Sequence, residues 1–145
     1  MRTVFAPVLF VSLGMLAPAD DKKVDADLKA MVGKWDIAKA ELGGKDAREH
    51  FQEFKFEITA GGKYSVTVGK LEEVGSFTVD PFQSPKSMDI KATNGPNKGH
   101  DIKAIYKIDG DSLTVCYAFG GGDRPAKFES QEGTKVFLAV YKRKK

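Results

Sequence analysis

Few residues in this chain are of the types that do chemistry, and their spacing keeps them apart. His50 and His100 are the two histidines, and neither stands at a short interval from a second ligand residue. A zinc site needs several histidine, cysteine or carboxylate groups at such intervals. His100 lies in a polar stretch with only Asp101 beside it, so both histidines are expected to be exposed and to hold no metal. Cys116 is the sole cysteine, set between Val115 and Tyr117. A nucleophilic thiol needs a basic neighbour or a helix terminus to favour the thiolate, and an alternating apolar segment offers neither. It reads as a buried apolar thiol; were it exposed, it would be free to pair with a second chain in an oxidising compartment. The acid pairs Glu72–Glu73 and Asp109/Asp111 fall in turn or surface positions rather than facing one another as glycosidase carboxylates do.

The glycine-rich AFGGGDRP stretch does not lead into a helix, which a phosphate-cradling loop requires. It reads as a flexible rim loop. No acid, base, nucleophile or metal set converges, so no catalytic residue, metal or cofactor is assigned and a non-enzymatic role is expected. What remains is a set of aromatics that recur on apolar faces: Phe54, Phe56, Tyr64, Phe77, Tyr106 and Tyr117. If those faces turn inward, Phe56, Tyr64, Phe77, Tyr106 and Tyr117 are the candidate lining of a ligand site. Tyrosines inside an apolar interior need hydrogen-bond partners. A filled core and a partly open cup with a tyrosine hydroxyl orienting a small apolar ligand both fit this pattern.

The elements that must position these residues are mostly strands. From residue 54, FKFEIT alternates Phe54, Phe56 and Ile58 with polar side chains, and KYSVTV sets Tyr64, Val66 and Val68 on one face. LEEVGSFTVD follows with Phe77 and Val79 inward and a bulge expected at Gly75. SMDIKA, DIKAIYKI, SLTVCYAF, a short AKFES segment and TKVFLAVYK continue the pattern, with DGDS as a tight hairpin. In the last strand Val136, Leu138 and Val140 form one apolar face and Phe137, Ala139 and Tyr141 the other, so both sides should be covered. A short helix in DAREHFQEF, capped by Asp46, is expected between the first two strands. No helix long enough for a parallel crossover separates successive strands, so the sheet should be an antiparallel meander. Closing about eight strands into a barrel hides the apolar face and removes the edges. A β-sandwich competes, but it needs longer crossing connections.

The 145 residues suit one domain behind a leader. MRTVFAPVLFVSLGMLAPAD carries Arg2, an apolar run from Val4 to Leu16 and a small-x-small signal at Ala17-Pro18-Ala19, the pattern of a cleaved secretory signal peptide over residues 1–19. The run is short for a spanning helix; a retained anchor is the competing reading. Residues 20–145 are then the exported domain, periplasmic or extracellular, without an integral membrane segment and expected as a monomer. The net charge is +3, and losing Arg2 with the leader leaves +2, too mild for a nucleic-acid binder. The basic end YKRKK reads as a solvated terminus guarding the last strand, or as a contact for an anionic surface.

In DDKKVDADLKAMV, Val24, Leu28, Met31 and Val32 repeat at helical spacing, and Gly33 follows as a stop. Trp35, the only tryptophan, comes two residues later at the head of the first strand. This helix, then Gly33-Lys34-Trp35, resembles the opening of lipocalins. The resemblance implies that the helix crosses one barrel end and that the indole packs beneath it as a plug. The stretches GKWDIAKAELGGK, GGKYSVTV, GPNKGHDIKAIYKIDGDSLTVCYA and RPAKF resemble the small lipocalin-like secreted domains expanded in planctomycete bacteria, over nearly all of Leu28 to Arg143. Lipocalins commonly lay a late-strand arginine over that tryptophan; Lys142, Arg143 and Arg124 are the basic residues near enough in sequence, and the sequence does not choose among them. The expected function is a lipocalin-like binding domain for a small hydrophobic molecule, with a cell-envelope interaction module, acting through rim loops and the basic C-terminus, as the alternative.

Overall fold

A computed structural model describes residues 18–145, with side chains from Asp21 onward; the expected leader, apart from its last two positions, lies outside the described residues. Helix α1 (Pro18–Met31) leads into β1 (Gly33–Leu42) and the two-residue β2 (Lys45–Asp46). There follow β3 (Phe54–Thr59), β4 (Lys63–Val68), β5 (Leu71–Asp80), β6 (Ser87–Ala92), β7 (Asp101–Asp109), β8 (Ser112–Ala118) and β9 (Val136–Arg143). Each strand from β3 onward pairs antiparallel with the next, and β9 returns to pair with β1. Eight strands thus close into a lipocalin-like antiparallel barrel, with β2 appended to the end of β1. Among the described residues closure leaves no long unpaired strand to recruit another chain.

The period-two pattern explains which side chains go inside. Phe56 and Ile58 of β3, Ile90 of β6, Ala104 and Tyr106 of β7, and Leu113 of β8 are all buried in one cluster. A second, smaller cluster lies on the barrel's outer surface, where Ile105, Cys116 and Leu138 pack against Phe128 and Val136. Here the expectation of a strand in AKFES is corrected: residues 119–135 form no strand. They cross the outside of β7, β8 and β9 instead, which is why β9 is apolar on both faces. Arg124 anchors this segment by donating from Nη1 to the carbonyls of Met88 (2.9 Å) and Ala104 (2.8 Å). A guanidinium fits there because it presents several donors in a fixed plane.

Two further expectations change. The register of β4, β5 and β6 runs unbroken through Gly75, so no bulge lies there. Gly75 serves a close approach: a Cβ would meet the Lys91 carbonyl and sit 2.8 Å from the Tyr64 hydroxyl. The bulge is in β1, between Ile37 and Lys39 against β9. It shifts the buried positions of β1 from Trp35 to Ala40, as an extra residue in a strand must. The helix expected in DAREHFQEF is a single 3-10 turn, Arg48–His50. Asp46 does contribute, accepting from the Arg48 N–H at 3.0 Å.

One end of the barrel is sealed as the lipocalin resemblance implies. Trp35 is 1% exposed and donates from Nε1 to the Met31 carbonyl at 2.9 Å. Arg143, at the end of β9, lies with its guanidinium 4.4 Å from the indole centroid. It donates to the carbonyls of Val32 (2.7 Å) and Ala30 (2.6 Å) and, through Nε, to Asp111 (3.2 Å). A helix C-terminus leaves its last carbonyls without intrahelical partners and carries partial negative charge. Trp35 and Arg143 answer both needs. Gly33 is required for the same reason: it has φ 145°, and a Cβ there would be 2.6 Å from Arg143 Nη1. The reading of YKRKK as a solvated guard of an edge strand is therefore corrected. Strand β9 has no free edge, and Arg143 is structural.

Helix α1 is held at a second point. Asp27 accepts from the Tyr106 hydroxyl at 2.7 Å and from Lys86 Nζ at 3.0 Å. Arg143→Gln should lower unfolding free energy by about 1.5–3 kcal/mol, since hydrogen bonds to a charged group are lost at the helix end. Lys144→Gln, one residue on, should change it by less than about 0.5 kcal/mol. Urea unfolding followed by Trp35 fluorescence measures both.

Candidate functional site

In an antiparallel meander successive connections alternate between the two barrel ends. Helix α1, the β7–β8 hairpin and the C-terminus gather at the Trp35 end. The opposite end receives the 3-10 turn, the β4–β5 turn, the β6–β7 loop and the start of the 119–135 segment. A cavity of about 280 Å³ lies inside the barrel toward that second end. Phe51, Leu71, Pro96, Asn97 and Phe119, from the connections and strand ends there, form its rim. An apolar cavity of about 150 Å³ admits benzene, so this one has room for a ligand about twice that bulk.

One wall is aromatic. Phe54 stacks on Tyr141 at 6.0 Å between centroids, Phe56 tilts against Tyr141 at 4.8 Å, and Tyr117 stacks on Phe119 at 5.7 Å. The other wall is largely aliphatic, with Val66, Met88, Ile90 and Ile102 among its residues. Two polar groups interrupt the apolar lining. The hydroxyls of Tyr117 and Tyr141 share a hydrogen bond of 2.9 Å. On the β5 side, Glu73 accepts from the Tyr64 hydroxyl at 3.2 Å and from Asn97 Nδ2 at 2.8 Å. Among the described residues every buried side-chain polar atom has a hydrogen-bond partner.

Of the residues expected to line a site, Phe56, Tyr64, Phe77 and Tyr117 border the cavity. Tyr106 does not; it faces the closed end, where its hydroxyl ties down Asp27 of α1. Gly33 and Trp35 are structural, at the plug. Tyr141 and Glu73 are lining residues that sequence reasoning missed. Tyr141 was visible as the inward partner of Phe137 and Ala139. Glu73 was legible by parity: on β5, residues 73, 75 and 77 share a face, and Phe77 is inward. The reading of Glu73 as a surface acid is corrected, whereas Glu72 is exposed at the rim.

His50 and His100 are both exposed, and Cys116 is buried with its thiol 3.6 Å from the Glu129 carbonyl. Burial pushes that thiol up, partly opposed by the carbonyl contact, which suits an inert group. Among the described residues no group of three or more histidine, cysteine or acidic side chains is placed to hold a metal ion. No helix among them is long and apolar enough to cross a membrane. The GGGDRP loop, expected to be a flexible rim, is tied back by Arg124, which also bonds Asp89. Burial raises the Asp89 carboxyl, but the hydrogen bonds from Arg124 and Lys103 outweigh it and hold the group below its usual range.

All four tyrosines are shifted the same way. Burial is the largest cause in each, raising the phenols of Tyr64, Tyr106, Tyr117 and Tyr141 above the ordinary value. Glu73 adds to the shift at Tyr64 and, more weakly, at Tyr117. A group that holds its proton more tightly when folded stabilises the fold below its unfolded pKa, here about 10. That contribution disappears as pH rises further. Absorbance near 295 nm should therefore stay flat beyond pH 10 and then rise in one step coincident with loss of secondary structure; four independent titrations near pH 10 would contradict the buried placement.

No protein-family model, curated protein or solved structure matches the chain. Its classification rests on the barrel itself: a closed antiparallel meander, plugged at one end by tryptophan beneath a helix and hollow at the other.

Proposed function

We propose that the chain is a non-enzymatic, lipocalin-like binding domain, exported after removal of its leader, that takes a small hydrophobic molecule into the barrel. The carrying observation is the apolar cavity of about 280 Å³ at the end opposite the Trp35 plug. Ligand sites are concave, mostly apolar and supplied with a few convergent polar groups, and this cavity has all three properties. The aromatic wall supplies dispersion area, and the hydroxyl pair and Glu73 supply orientation. The alternative of an envelope-binding module loses its two arginines, since Arg143 and Arg124 are both engaged in internal hydrogen bonds.

Native mass spectrometry of protein taken from its natural source should show a bound mass that denaturation releases. For the recombinant protein, the neutral probe 2-phenylethanol should shift methyl resonances of Val66, Ile90 and Ile102 in a saturable manner. Val66→Phe places a ring in the cavity from a half-buried position and should weaken that binding at least about tenfold, the equivalent of 1.4 kcal/mol, with little change in fold. Full binding by the Val66→Phe variant would remove the barrel interior as the site.

A further inference from the structure

The cavity's charge is one-sided. Among the described residues Glu72 and Glu73 line it, and no lysine, arginine or histidine does. Lys70 and Lys98 belong to the connections at the same end but are exposed and outside the lining. Glu73 is the better placed of the two acids, being half-buried, with its carboxylate fixed by Tyr64 and Asn97. Each of its oxygens accepts one hydrogen bond from those partners, whereas a carboxylate offers about four acceptor sites. Acceptor capacity is left over. The donors beside it are already committed and leave little for a ligand anion: the Tyr64 hydroxyl spends its single proton on Glu73, and Asn97 Nδ2 spends one of its two.

From this we infer that the ligand is a cation: a compact aromatic or aliphatic body carrying a protonated amine, with the ammonium on Glu73. The inference rests on the binding role proposed above and adds the chemical class. Three physical terms favour it. An ammonium supplies donors to the unused lone pairs of Glu73, giving charge-assisted hydrogen bonds, which are about twice as strong as neutral ones. The cavity's aromatic faces, Tyr64 beside Glu73 among them, carry negative quadrupole potential that attracts cations. A carboxylate or phosphate ligand would meet Glu73 and those faces with no cation to pair it, and an unpaired anion removed from water is costly. Fatty acids and other acidic lipids are therefore disfavoured, and small arylalkyl amines fit best. Glu73 acts here as the specificity group and Asn97 as the residue that positions it.

Three probes with nearly the same body separate the claims: 2-phenylethylamine, 2-phenylethanol and phenylacetate, titrated by calorimetry and methyl resonances on the full domain near pH 7. The amine should bind at least about tenfold more tightly than the alcohol, a factor that one charge-assisted hydrogen bond supplies, and phenylacetate should bind most weakly. Glu73→Gln keeps the side chain's shape and should bring amine affinity down to near that of the alcohol, lowering the alcohol's by a much smaller factor. Asn97→Ala should lower amine affinity by a smaller factor. If all three probes fail, the binding role falls; if the alcohol or phenylacetate equals the amine, the cavity binds but the assignment of a cation is overturned. Retained amine preference in Glu73→Gln would likewise overturn it. Should that variant fold poorly, Glu73→Asp, which shortens the reach but keeps the charge, should retain a preference for amine over alcohol; its loss there would count against charge pairing.

Discussion

The fold depends on how one helix ends. The last carbonyls of α1 have no partners within the helix, and those of Ala30 and Met31, with that of Val32 just beyond, are taken by two side chains that arrive from the two strands forming the closing seam. Trp35, on β1, bonds Met31; Arg143, on β9, bonds Ala30 and Val32. Trp35 and Arg143 are also register partners across that seam. One small network therefore caps a helix, covers a barrel end and joins first strand to last. Its charge complements the helix C-terminus, and the indole gives the guanidinium a face to lie on. Gly33 is the space that this arrangement requires.

Sealing one end decides what the other can be. The meander sends its longer connections to the far end; the β1–β3 ladder runs for only three residue pairs beside the plug, and the gap beyond it, toward the far end, is bridged by the 3-10 turn. Side chains pack fully near the plug, around Trp35, Met31 and Tyr106, and less fully beyond them. The hollow is thus a consequence of asymmetry between the ends. The barrel does not hold unsatisfied polar groups in that hollow: its tyrosines pair with one another or with Glu73. Polar groups already matched in this way cost little when the site is empty and orient a ligand when it is filled.

Much of the fold was legible in the sequence because period-two alternation and turn chemistry are local. The strands and the Gly110 hairpin follow from residues near one another in sequence, and the Trp35 plug was implied by the lipocalin resemblance that the short Gly33-Lys34-Trp35 motif carries. What was not legible depended on pairs distant in sequence. Arg143 reads as part of a basic tail until β9 is seen against β1. Phe128 reads as strand until Leu138 and Cys116 need covering. Tyr106 and Tyr64 look equivalent by pattern, yet Asp27 draws one to the closed end while Glu73 holds the other at the cavity. Gly75 carries the same lesson: only the neighbouring Tyr64 hydroxyl and Lys91 carbonyl show that it makes room rather than breaks register.

The plug closes one end of the barrel and leaves an apolar space at the other. Xenon enters such spaces without needing any particular chemistry, so methyl spectra recorded under increasing xenon pressure test it most directly. Saturable shifts are expected for Val66, Ile90, Ile102 and Val115, with Ile105 and Leu138 on the outer surface unmoved. Uniformly small, unsaturating changes at all six would mean a filled barrel and contradict it.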